Sequence, residues 1–182
     1  MNITHFHKRR LPMKLTSSIT ERKRLTRRKI ALLTVLGICV PVAVLATPGV
    51  GVLFNTISRA AVEAFDAGSQ NGQWEIHLDT NGPSDIITQN LTLLPGGSSG
   101  WHNHPGPAIL SVKAGTLTFY EGNDPGCAPH VFSAGTGLVE RGGEVHIARN
   151  EGANALTLDV TYIVPRDAPQ RIDEPSPGNC PF

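Results

Sequence analysis

Three histidines have the side-chain type and the spacing needed to bind a metal ion: His102, His104 and His146. His102 and His104 stand two residues apart in sequence typical of a strand, so both side chains leave the same face and can converge on one ion. His146 lies on a later predicted strand and, like the first pair, follows a loop that contains glycine. Imidazole is the commonest protein ligand for metals. The trio therefore predicts a site for one divalent metal ion.

Two motifs around these histidines resemble those of the cupin superfamily, which are G(X)5HXH(X)3,4E(X)6G and G(X)5PXG(X)2H(X)3N. In this chain the first motif covers residues 96–115 and the second covers residues 135–150. The spacing matches at every anchor, but two anchors differ in identity. Ala108 stands where the family has a metal-binding Glu, and Arg141 stands where it has a turn Pro.

The resemblance extends over about residues 73–164 and implies an all-β fold, the cupin-type double-stranded β-helix or jelly-roll barrel. Within that barrel it makes His102, His104 and His146 the metal ligands, whereas Ala108 cannot ligate. Three imidazoles with open positions for water or substrate suit Fe, Mn, Ni, Cu or Zn. Because neutral ligands leave the charge of the ion uncompensated, the site favours an anionic ligand and lowers the pKa of a bound water.

The function predicted from the resemblance is metal binding by a small cupin, for small-molecule binding or turnover, and whether the chain is an enzyme stays open. One alternative is an iron-dependent, dioxygenase-like enzyme, because three-histidine sites without the Glu are similar to those of thiol dioxygenases. Another is a metal-free scaffold or interaction module, whose histidines are satisfied by hydrogen bonds. A homodimer is also an open alternative.

Four other side chains are weaker candidates for a role at the site. Glu140 and Glu144 lie within the second motif and could replace the missing carboxylate, but we interpret both as exposed turn acids. His77 alternates with apolar neighbours and is predicted to face solvent. His130 is predicted to be structural rather than a fourth ligand.

The elements that must position these residues have the pattern of short strands. The 19 glycines and 14 prolines break up long helices and favour turns. Residues 74–79 alternate apolar and polar side chains, which predicts a half-buried strand. The strand candidates are residues 73–79, 85–94, 101–104, 109–112, 116–120, 130–132, 137–140, 145–149 and 155–164. We predict a cupin barrel over residues 73–165, after a linker or N-terminal extension at 47–72, and a C-terminal tail at 166–182, irregular unless a disulfide holds it.

The first 46 residues are predicted to be a signal peptide or a membrane anchor. They contain ten of the 16 Lys and Arg residues and one acid, and residues 30–46 are 17 positions without a charge. If apolar residues up to 54 are included, residues 30–54 could cross a membrane instead of being cleaved. Either way the body is predicted to lie outside the cytoplasm, with membrane contact only through this segment.

The rest of the chain has a different charge and a different cysteine content. Residues 47–182 carry a net charge of −8, which argues against nucleic-acid binding. Two of the three cysteines, Cys127 and Cys180, lie in this body. An even pair in an oxidising compartment predicts one disulfide bond between a loop and the C-terminus.

Overall fold

The computed structural model describes residues 45–182, so the predicted leader lies outside the described residues except for its last two positions. These residues form strands and no helix, which confirms the all-β prediction. Within residues 45–182 no helix has the length and apolar character needed to span a membrane. The twelve strands are β1 (Val50–Val62), β2 (Asp66–Asn71), β3 (Trp74–Asp79), β4 (Ser84–Ser98), β5 (His102–Asn103), β6 (Ala108–Ala114), β7 (Thr116–Glu121), β8 (His130–Ser133), β9 (Gly137–Glu140), β10 (His146–Arg149), β11 (Leu156–Pro165) and β12 (Ile172–Asp173).

Ten of these strands form one antiparallel sheet that curls into a nearly closed barrel, consistent with the expected jelly roll. Its main path runs β12-β5-β10-β4-β11-β6-β9. In addition β1 pairs with β4, and β7 pairs with both β10 and β8. β2 and β3 form a separate two-stranded hairpin. The order places β5 and β10, which carry the predicted ligands, next to each other.

The core follows from strict alternation along the central strands. In β11 every second residue is buried, from Leu156 through Leu158, Val160 and Tyr162 to Val164, because successive side chains of a strand point to opposite faces. β6 repeats the pattern with Ala108, Leu110 and Val112. These inward faces form one hydrophobic cluster inside the barrel. The same rule directs polar side chains of neighbouring strands either to that interior or to solvent.

Two strands lie within residues 47–72, where the sequence predicted a linker or extension. β1 pairs with β4 along most of its length and is fixed by an ion pair in which Arg59 Nη2 lies 2.5 Å from Asp85 Oδ2. The backbone amide of Asp167 and then the Arg59 guanidinium lower the pKa of the Asp85 carboxyl. Because polar and small residues are mixed in β1, its apolar and polar side chains do not alternate, and the sequence therefore did not predict this strand.

The strand predicted at residues 74–79 is present as β3, but it is not half-buried. Trp74 is 58% exposed and Ile76 is 41% exposed, and only Leu78 is partly covered. The physical reason is that β3 pairs with β2 alone, so no second layer covers the apolar face of the hairpin.

The C-terminal tail is ordered and returns to the barrel. A disulfide joins Cys127 and Cys180, as the sequence predicted. Further upstream, β12 pairs with β5, and the Glu174 amide donates a hydrogen bond to the carbonyl of Trp101. The tail thereby lies beside the strand that carries His102.

Candidate functional site

The structure brings the three predicted histidines together. His102 begins β5, His104 follows it after one residue, and His146 begins β10 directly opposite His102 in the ladder. One ligand atom from each imidazole lies within 4.8 Å of the other two. The three residues are 6%, 2% and 2% exposed. The group is the one cluster in the described chain with this geometry among His, Cys, Asp and Glu side chains.

The Nδ1 atom of each imidazole is held by a backbone carbonyl. The acceptors are Gly100 O for His102 at 2.9 Å, Gln170 O for His104 at 2.5 Å, and Glu144 O for His146 at 2.8 Å. A carbonyl only accepts, so each Nδ1 must carry a proton, which leaves Nε2 as the ring atom that can bind a metal. Such outer hydrogen bonds orient metal-binding histidines and fix their tautomer.

Burial keeps two of these imidazoles neutral. Desolvation, followed by the charges of His146 and Arg171, holds the pKa of His102 well below its usual range. Desolvation also lowers the pKa of His146, and the nearby Glu140 charge partly opposes that effect. At neutral pH both rings are therefore free of a second proton and available as ligands.

The donor set fits a divalent metal. His146 Nε2 is fully buried and has no hydrogen-bond partner in the described structure. A buried polar atom without a partner is costly, and a cation placed among the Nε2 atoms would satisfy it. Neutral imidazole nitrogens are ligands that Zn, Cu, Fe and Ni all accept. The three histidines therefore provide nitrogen atoms that can bind such an ion.

Glu140 contacts two of these histidines, so its interpretation as an exposed turn acid is wrong. Its side chain is only 4% exposed, and Oε2 lies 3.1 Å from His104 Nε2 while Oε1 lies 3.5 Å from His146 Nε2. The sequence did contain a signal for this. Glu140 is two residues from Leu138 in a predicted strand, and Leu138 packs against the core, so both side chains share the inward face.

The other weak candidates lie away from the cluster. Glu144 is 44% exposed at its side chain and pairs with Arg141 at 3.5 Å, although its backbone carbonyl holds His146. His77 is exposed on β3, as predicted, and His130 is exposed on β8. Neither of the two histidines contributes to the metal-ligating group.

A cavity of about 220 Å³ adjoins the histidines inside the barrel. Its walls are mostly apolar and come from β1, β4, β6 and β11, while Gln89, Tyr162, Glu140 and Arg171 supply polar groups. Burial, and then the charge of Glu140, raise the pKa of the Tyr162 phenol, which stays protonated at neutral pH. The cavity can therefore hold a small molecule that has both apolar and anionic parts beside the histidines.

The C-terminal tail supplies two groups that sequence reasoning missed. Gln170 holds His104 through its backbone carbonyl, and Arg171 lines the cavity. Arg171 is itself fixed, because Nη2 donates to Ser99 O at 2.7 Å and Nε donates to Asp173 Oδ1 at 2.5 Å. No local pattern marks a backbone carbonyl as a partner of a histidine 66 residues away, so sequence periodicity could not have found this contact.

Part of the chain matches a known protein family. A family model described as "Cupin domain" matches residues 90–164. A search of curated proteins found no match. Three similar solved structures are an oxalate oxidase in complex with the substrate analogue glycolate (23% identity, 48% of this chain and 45% of that chain, TM-score 0.42), a predicted oxalate decarboxylase from Thermotoga maritima (22%, 46% and 81%, 0.37) and an oxalate decarboxylase from Bacillus subtilis with Mn(II) centres (18%, 48% and 23%, 0.43). The chain thus spans less than half of the length of the oxalate oxidase.

Proposed function

We propose that the chain, of which residues 90–164 match the cupin-domain model, is an exported cupin that binds one divalent metal ion through His102, His104 and His146. The observation that carries the proposal is the shared orientation of the three rings. Every Nδ1 is bound to a backbone carbonyl, which leaves every Nε2 for a common partner. Three histidines that served only to pack the core would not need the same tautomer at every position.

The ion would be Fe, Mn, Ni, Cu or Zn, and it would supply a Lewis acid and a positive charge inside the barrel. Side chains of the protein form a cavity next to the ion. Apolar side chains from β1, β4, β6 and β11 exclude bulk water, and a cavity of about 220 Å³ is below the usual range of drug-sized pockets. The ligand is therefore a small molecule.

Arg171 supports an anionic group on that ligand. Arg171 lines the cavity, and its positive charge adds to the effect of burial in lowering the pKa of His102 and of His146. Guanidinium groups recognise carboxylates through paired hydrogen bonds. We infer a small molecule with an apolar body and a carboxylate or similar anionic end.

Tyr162 supports a second candidate function, in which the protein converts the small molecule chemically instead of only binding it. Its ring centroid lies 5.1 Å from that of His104, and its phenol is buried and protonated beside the cavity. A protonated phenol can donate a hydrogen bond to a reacting oxygen or pass on a proton. An iron-dependent, dioxygenase-like reaction would use such a group, and it is the enzyme class we propose.

Location outside the cytoplasm is also part of the proposal. It is supported by the basic and then apolar order of residues 1–46 and by the Cys127–Cys180 disulfide, which persists in oxidising compartments. The homodimer stays a prediction.

Metal analysis of the purified protein tests the central claim. We expect one equivalent of a first-row divalent metal, and we expect His146→Ala to lose most of it because two imidazoles hold a labile ion poorly. His77→Ala is the matched control, since His77 is exposed outside the cluster. Metal content that is equally unaffected by both substitutions would mean that the barrel is a metal-free scaffold.

A further inference from the structure

Ala108 and Glu140 are direct partners in the ladder between β6 and β9. Ala108 occupies the position at which the first cupin motif has its metal-binding Glu. Directly opposed residues in an antiparallel pair project from the same face with their Cβ atoms about 4.5–5.5 Å apart. The carboxylate of a residue at position 140 can therefore reach the place in the barrel interior where a Glu at position 108 would put its own carboxylate.

The packing leaves room for that arrangement. Ala108 is completely buried, and its methyl group is the smallest side chain that still fills a core position. The longer Glu140 side chain crosses the interior to His104 and His146 and is itself only 4% exposed. A Glu at both positions would bring two carboxylates together, so a small residue at 108 and an acid at 140 are complementary.

The two carboxylate distances match those of ligands that share an ion. Ligands about 2.1 Å from one metal are about 3.0 Å apart at a right angle and about 3.4 Å apart at the tetrahedral angle. Glu140 Oε2 lies 3.1 Å from His104 Nε2, and Oε1 lies 3.5 Å from His146 Nε2. Each oxygen of the carboxylate therefore lies at a suitable separation from one histidine, although the ligand atoms that all lie within 4.8 Å of one another are those of the three histidines alone.

The contacts of Glu140 also leave a place for a cation. The Nδ1 atom of His104 is bound to the Gln170 carbonyl, so the ring turns its Nε2 toward the Glu140 carboxylate. A cation between the two atoms would bind both of them, because a carboxylate oxygen and an unprotonated imidazole nitrogen each offer a lone pair. The ion pairs within 4.0 Å of Glu140 in the described chain are those with His104 and His146, so no Lys or Arg side chain neutralises it.

We propose that Glu140 is the fourth ligand of the metal, supplied by β9 in place of the acid that the first motif lacks on β6. The inference rests on the proposed function, because it assumes that the three histidines hold the ion. It changes the expected character of the site. One carboxylate reduces the net charge of a divalent centre to +1 and adds an oxygen donor, which Mn²⁺ favours more than Zn²⁺ or Cu²⁺ does.

Titration of the metal-free full chain with Mn²⁺ tests the inference, with free Mn²⁺ measured by EPR. We expect Glu140→Gln to weaken Mn²⁺ binding at least tenfold and to weaken Zn²⁺ binding less. Glu144→Gln is the matched control, since Glu144 is an acid of the same motif whose contact with His146 is made by the backbone. It should bind as the wild-type protein does.

The exchange variant tests the geometry. Ala108→Glu combined with Glu140→Ala should recover most of the affinity that Glu140→Ala loses, because the two positions face each other. Co²⁺ gives a second measurement that does not depend on affinity, since its visible absorption reports the number and type of ligands, and the Glu140→Gln spectrum should differ from that of wild type.

The outcomes separate this inference from the proposed function. If the wild-type protein binds Mn²⁺, His146→Ala abolishes binding, and Glu140→Gln binds as tightly as wild type with the same Co²⁺ spectrum, then the three-histidine site stands and Glu140 is only a hydrogen-bond acceptor of a protonated His104. If neither Mn²⁺, Zn²⁺ nor Co²⁺ binds the wild-type protein, both proposals fail.

Discussion

Removal of the Cys127–Cys180 disulfide is expected to lower stability without changing the fold. The bond joins residues that are 53 positions apart, and in the chain-entropy model closing a loop of that size stabilises the folded state by about 4 kcal/mol. For a chain of this length, 1 kcal/mol corresponds to roughly 2–4 °C in the unfolding temperature. Reduction should therefore lower the unfolding temperature by roughly 8–16 °C.

Thermal unfolding followed by circular dichroism, with and without a reducing agent, measures this difference. Reduction leaves both side chains in place, so it isolates the bond from the packing of Cys180 against Trp101, Tyr120 and Ile147. The variant with Cys127→Ser and Cys180→Ser should unfold at or below the temperature of the reduced wild type and should not respond to the reducing agent. Equal unfolding temperatures for the oxidised and fully reduced wild type would refute the reasoning, because the bond would then constrain nothing in the unfolded chain.

Two further predictions concern pH and location. Burial lowers the pKa of His102 and His146, so between about pH 6.5 and their folded-state values the unfolded chain binds more protons than the folded one. Metal-free protein should therefore lose stability as the pH falls below about 6.5, which urea unfolding at pH 7.5 and 5.5 would detect; a gain on acidification would contradict it. N-terminal sequencing of protein from the native cell should show a chain that begins after residue 46 or is membrane-bound, and a soluble cytoplasmic chain that begins at Met1 would exclude export.

The strands were predictable because their signals are local. All nine candidates appear as strands in the structure, and the alternation of β11 alone fixes which of its side chains enter the core. The grouping of His102, His104 and His146 followed from the same-face spacing of the first two and from the motif that contains the third. The structure brings these three residues together.

The position of Glu140 could not be predicted with the same ease, because its burial depends on a pairing between distant strands. An acid near the end of a short strand is usually exposed, and only the register with Ala108 and the two histidines makes the interior favourable for it. The tail contacts have the same origin. Gln170 and Arg171 have no apolar periodicity, and their roles exist only once β12 lies against β5.

These long-range contacts make one of the three histidines dependent on the C-terminus. Gly100 and Glu144 hold His102 and His146 from two residues away, so those rings are oriented by local chain geometry. His104 is instead oriented by a carbonyl 66 residues further along, in a tail whose far end is fixed by the disulfide. Loosening that tail removes a hydrogen bond from a candidate ligand and the Arg171 charge from the cavity, and outer contacts of this kind commonly change metal affinity by about 10–100-fold. We therefore expect reduction of the disulfide to weaken metal binding through the tail, even though neither cysteine lies among the ligands, and metal affinity measured with and without a reducing agent would test this expectation.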